Sequence, residues 1–132
     1  MSITVPQPIG EAAQWQTTDY GDASAKSAAA AANGRCTVQL AVVPENELWL
    51  VDRIVVTCTS TSTTQCVIYE DLEDPQRALE YTRSGNLDVA DESSPIHLDA
   101  GTSLYAVWTG ASVGATATLR AQWAVLRKTQ VY

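Results

Sequence analysis

Pro44-Glu45-Asn46 leading into Leu48-Trp49-Leu50-Val51, and Asp99-Ala100-Gly101 leading into Leu104-Tyr105-Ala106-Val107-Trp108, decide the fold of this chain. Each stretch is a tight reversal feeding an apolar strand, the first unit spanning residues 43–56 and the second 98–109. Asn46 and Gly101 hold matching places in the two reversals, and asparagine and glycine reach positive φ at the least cost. Turns of this kind, set before short β-branched and aromatic runs, indicate stacked sheets.

Outward from these units the period stays at two. Cys36, Val38, Leu40 and Val42 alternate with Thr37, Gln39 and Ala41, and Ala117, Leu119, Ala121, Trp123 and Val125 alternate with Thr118, Arg120, Gln122 and Ala124. Both read as half-buried strands. The strand from Leu48 to Thr59 puts Leu48, Leu50, Ile54, Val56 and Cys58 on one face, with a bend or bulge at Asp52-Arg53. Gln65 to Glu70 and Ala78 to Thr82 are shorter strands around an acidic loop, and residues 84–95 have the turn-former density of a long irregular loop. Residues 110–114 close a hairpin between the last two strands. Seven or eight short strands with no helical period after residue 34 predict an all-β fold: an antiparallel β-sandwich, jelly-roll-like, in one domain.

The first 33 residues differ from the remainder and read as an extended N-terminal arm, leaving residues 34–132 as the sandwich domain. The alanine-rich run from Asp22 to Ala32 suits a short helix capped by Asp22 and stopped at Asn33-Gly34. It equally suits a small-residue edge strand, with Asn33-Gly34 as a hairpin turn. Either form needs something to pack on, since a lone helix of this length is marginal in water.

Net charge is −7 and the isoelectric point about 4.4, so the chain repels a phosphate backbone, and its eight basic residues form no stripe. Nucleic acid is excluded as a partner class. The N-terminus lacks the basic start and apolar run of a secretory signal, and no window has the ~20 apolar residues that span a bilayer. The expectation is a protein made soluble in a cytoplasm, with no membrane partner. Cys36, Cys58 and Cys66 then read as small buried thiols, although Cys58 and Cys66 flank an expected hairpin and could face each other.

Chemistry-bearing constellations are weak beside their plainer readings. Glu70, Asp71, Glu73 and Asp74 could pair as acid and base on a sugar, but four acids in five positions before a proline form a solvated loop. Asp88, Asp91 and Glu92 could offer oxygen to calcium, yet lack the spacing of a known loop. His97, the one histidine, sits on a strand opposite its neighbours Ile96 and Leu98 and reads as half-exposed. No G-x-S-x-G surrounds Ser60, Ser62 or Ser84. The residues call for no enzyme activity, no metal and no cofactor.

Aromatic side chains raise a binding role. Trp15, Trp49, Trp108, Trp123, Tyr69, Tyr81 and Tyr105 could stack on host-surface sugars if several shared an exposed face. Trp123 is in phase with Leu119 and Val125 and belongs to the core, as a chain without phenylalanine requires of some of them. Trp49 is out of phase with Leu48 and Leu50, which makes it a candidate for partner contact together with Trp15 and Tyr20 of the arm.

Residues 47–60, 85–95 and 100–118 together resemble small virion structural proteins of tailed bacteriophages, especially those infecting actinobacteria. The resemblance covers roughly residues 34–127 and lies in strand and turn positions. It implies a β-sandwich subunit displayed on the particle, as a capsid decoration, minor capsid or minor tail protein. It also implies a symmetric homo-oligomer that contacts major capsid or tail proteins, assembled in the host cytoplasm. No functional residue transfers, because the family's role is contact. The arm would lap onto a neighbouring subunit and bury there the apolar surface it cannot bury alone.

Overall fold

The computed structural model describes residues 13–130. Eight strands follow in order: β1 (Ala13–Lys26), β2 (Cys36–Gln39), β3 (Glu47–Cys58), β4 (Gln65–Glu70), β5 (Ala78–Thr82), β6 (Asp88–Leu98), β7 (Leu104–Thr109) and β8 (Ala117–Gln130). They form two antiparallel four-stranded sheets: sheet A in the order β1-β8-β3-β6, sheet B in the order β2-β7-β4-β5. The chain changes sheet at every connection except β4 to β5, which gives the eight-stranded jelly roll. The fold is the expected all-β sandwich.

The two units place their reversals together at one end, with their strands in opposite sheets. Asn46 and Gly101 take φ of 66° and 86°. The Gly101 N–H donates to the Val43 carbonyl at 2.9 Å and the Val43 N–H to the Thr102 carbonyl at 2.9 Å, so the reversals brace each other across the end of the sandwich.

Between the sheets, Trp108, Ile54, Ile68, Leu98, Leu104, Leu119, Val51 and Val56 are fully enclosed. The Trp108 indole N–H donates to the Gly85 carbonyl at 2.8 Å, which satisfies its one polar atom. Trp123 is in the core as its phase predicts. Trp49 is there too: it is 6% exposed and stacks on Trp123 with ring centroids 4.1 Å apart and planes at 10°. This corrects its assignment as a partner-contact residue. The cause is the bulge, which lies where the sequence put it, between Val51 and Arg53. One extra residue reverses the alternation, so Trp49 and Val51 share the inner face with Ile54, Val56 and Cys58, while Leu48 and Leu50 point outward.

Other expectations change in similar ways. Residues 13–26, assigned to the arm, form β1, the outer strand of sheet A, paired along their whole length with β8. Ala23 and Ala25 turn their small side chains onto the core. Of the two forms weighed for the alanine run, its start is strand, and no part is helix. Residues 27–31 are neither helix nor strand, and their Ser27 and Ala30 N–H groups donate to the distant Ala117 and Ala115 carbonyls instead of within their own segment. Residues 1–12 of the arm lie outside the described residues.

Residues 88–95, expected as loop, belong to β6, where Val89 and Ala90 pair with Val55 and Ile54. Residues 110–114 do not close a hairpin, since β7 and β8 lie in different sheets. The link from Cys58 to Cys66 crosses between sheets for the same reason.

Candidate contact surfaces

The outer face of sheet A follows from the ladder register, since directly opposed residues point the same way. One row holds Tyr20, Ala124, Leu50 and His97, and the row beside it holds Thr17, Leu126 and Leu48. Trp15 and Lys128 face each other at the end, with the ammonium 5.3 Å from the indole centroid. Trp15 is 42% exposed and Tyr20 77%. The structure therefore brings these two sequence-predicted contact residues onto one face and leaves Trp49 on the other side of the same sheet.

Beyond this apolar end the face turns polar. Asp22 accepts from Arg120 through two nitrogens, at 3.1 and 2.6 Å. That pairing holds the Asp22 carboxyl below its ordinary pKa and the guanidinium above its own. Grooves open at the apolar end and toward the polar part. One of about 500 Å³ is lined by Trp15, Asn46, Leu48, Asp99 and Lys128 among others; the second, about 300 Å³, is lined by Tyr20, Asp22, Asp52 and Gln122.

Glu47 ties the apolar end to the core. Its carboxylate accepts from the Trp49 indole N–H at 2.9 Å and from Arg127 at 2.8 Å, and these bonds, the indole's first, hold its pKa below the ordinary value.

The outer face of sheet B is different in kind. Tyr69 pairs with Tyr105, and Val67 lies between Val107 and Tyr81, so three tyrosines share this outer face around two valines; Tyr81 is exposed, Tyr69 and Tyr105 are half-buried, and Val107 is buried. Arg35 on its rim pairs with Glu73 at 2.6 Å.

The remaining candidates resolve into local structure. Asp74 caps the 3-10 turn Pro75–Arg77 by accepting from the Gln76 N–H at 3.0 Å. The Asp88 carboxylate accepts from the Ser84 N–H and hydroxyl and from the Gly85 N–H. Burial pushes its pKa up, but these donors outweigh it and leave the pKa lowered. His97 is exposed on the outer face of sheet A.

Cys36, Cys58 and Cys66 are buried and free. Burial pushes the Cys66 thiol up to about 12 and raises Cys58 as well. Among the described residues, no group of three or more His, Cys, Asp or Glu is arranged to hold a metal ion, and no helix is long and apolar enough to cross a membrane.

Sequence periodicity puts Ala124 outward but does not mark Leu48, Leu50 and Leu126 as surface residues. The available signal was the unbroken apolar run Leu48–Val51, which marks a strand covered on both sides.

No protein-family profile and no curated protein matches the sequence. Solved structures do match by shape. A chain from the acidic stable capsid structure of Helicobacter pylori bacteriophage KHP30 is 14% identical, with a TM-score of 0.58 over 89% of this chain and 98% of that one. A chain from Bacillus endospore appendages, described as a novel family of disulfide-linked pili, is 10% identical, with a TM-score of 0.47 over 98% and 100%. At such identities the likeness is one of fold.

Proposed function

We propose that this chain is a non-enzymatic structural subunit of a tailed-phage virion, a capsid decoration or minor capsid protein. The observation that carries the reading is the jelly roll itself, shared over nearly the full length of a chain in a phage capsid structure. The surface supports it. Sheet A presents Trp15 and Tyr20 in a broad apolar and polar face, while the core spends Trp49, Trp108 and Trp123 on its own packing. Partners are then copies of itself and the shell proteins, and a minor tail position uses the same contacts. Particles banded from a lysate containing this chain should carry it at a fixed ratio to the shell protein, as counted by quantitative mass spectrometry. Banded particles that lack it overturn the proposal.

One observation favours a second reading, recognition of host-surface glycans: Tyr69, Tyr81 and Tyr105 share the outer face of sheet B. Saturable binding on a glycan array that is lost in Tyr69→Ala and Tyr105→Ala supports it, and a flat array removes it.

A further inference from the structure

We propose that two copies of this chain pack outer face to outer face through sheet A, about a two-fold axis. Antiparallel sheets with one face in water alternate apolar inward and polar outward. β3 and β8 break that pattern at one end. Opposite the inward Trp49, Val51, Trp123 and Val125, they carry Leu48, Leu50, Ala124 and Leu126 on the outer side, flanked by the exposed Tyr20 and Trp15.

Charge selects the occupant. Among the residues whose side chains are described, the face carries Lys26, Arg53, Arg120 and Lys128 against Asp22 and Asp52, and Asp99 lines its groove. It is near balance in a chain of net charge −7, so the surplus acids lie elsewhere. Two copies repel through their other surfaces and least through this one. Alternating signs also suit a face that must complement itself, as a two-fold contact requires.

Size agrees. Four strands spaced ~4.8 Å apart, and about eleven residues at ~3.4 Å each, cover roughly 700 Å² per copy, close to the ~800 Å² per partner of a standard interface. Stacked sheets of two copies would then lie at the small angle that sheet twist allows.

This dimer does not depend on the virion reading, because it concerns the isolated chain. Sedimentation of the full chain, from low to high micromolar, should show a reversible rise from 14.2 kDa to twice that mass. Tyr20→Asp, at a side chain 77% exposed, should weaken the association by about tenfold or more while leaving the melting midpoint in place at a concentration where the parent is monomeric. Tyr81→Asp, on the outer face of sheet B and 51% exposed, should leave it unchanged. If Tyr20→Asp lowers the midpoint, Lys128→Glu carries the same test. A monomer at all concentrations, a trimer or open-ended polymer, or a dimer that responds to Tyr81→Asp but not to Tyr20→Asp or Lys128→Glu overturns the proposal. A dimer formed by a protein missing from banded particles upholds it and removes the virion reading instead.

Discussion

The two sides of sheet A are built from the same strands and differ by a single residue's phase. Inside, Trp49 lies flat on Trp123; outside, Leu48, Leu50, Ala124 and Leu126 occupy the alternate positions. Both sets are apolar, so hydrophobicity does not choose between them. The choice is made by the bulge at Asp52, which lets residues 54–58 and residues 49–51 face the same core. A bulky stacked pair goes inside, and smaller apolar side chains go to the outer face.

Deleting Asp52 attacks that choice directly. The ladder would then run without a break, and residues 47–51 would have to expose Trp49 and Val51 or lose register with β8. The expected loss is most of the folding margin, which for a domain is about 5–15 kcal/mol. Chemical denaturation reads it. A variant as stable as the parent would show that the inner and outer sets are interchangeable.

Trp49→Ala keeps the bulge and empties the inner side, at an expected cost of about 3–5 kcal/mol. Tyr20→Ala removes an exposed aromatic from the outer side and should change stability by under about 0.5 kcal/mol. Similar losses at the two positions in urea titrations would dissolve the contrast.

Gly21 sharpens the comparison from a neighbouring strand. It faces Trp123 across the β1–β8 ladder, and a Cβ there would lie 2.2 Å from the indole nitrogen. The indole must shift to admit a methyl group, which would disturb the Trp49 stack, so Gly21→Ala should destabilise by about 1–3 kcal/mol. An unchanged melting midpoint would show that the stack has room to move.

Much of this is legible in the sequence. The strands from Ala78 to Thr82 and Leu104 to Thr109, the positive φ at Asn46 and Gly101, and the bulge at Asp52-Arg53 all carry local signals of period or turn chemistry. What failed was long-range. Nothing near Leu48 shows that a bulge four residues on reverses its direction. Nothing in Gly110 to Gly114 shows that the chain crosses to the other sheet. The polar residues 88–95 and the alanine-rich run take extended form through partners far along the chain, Val55 and Ala115 among them. Of the contact residues, Trp15 and Tyr20 were legible by type, and Trp49 was misplaced because its phase was counted through the bulge.

The finest test concerns the carboxylate that ties the tryptophan stack to the end of the sheet. Glu47 accepts from Trp49, which belongs to the core, and from Arg127 at the end of β8, 48% exposed. Its carboxyl is held below its ordinary pKa, so the folded chain takes up this proton less readily than the unfolded one. The stability it contributes is complete above the carboxylate range of the unfolded chain and is lost as the pH falls through its lowered value. Glu47→Gln keeps an acceptor for the indole and gives up the charge facing Arg127, so at neutral pH it should cost under about 1 kcal/mol. The gap between parent and variant should then close in acid, read as converging urea midpoints. A gap that stays constant with pH would mean that Glu47 acts through shape alone, and that the stack is held without help from the outer charges.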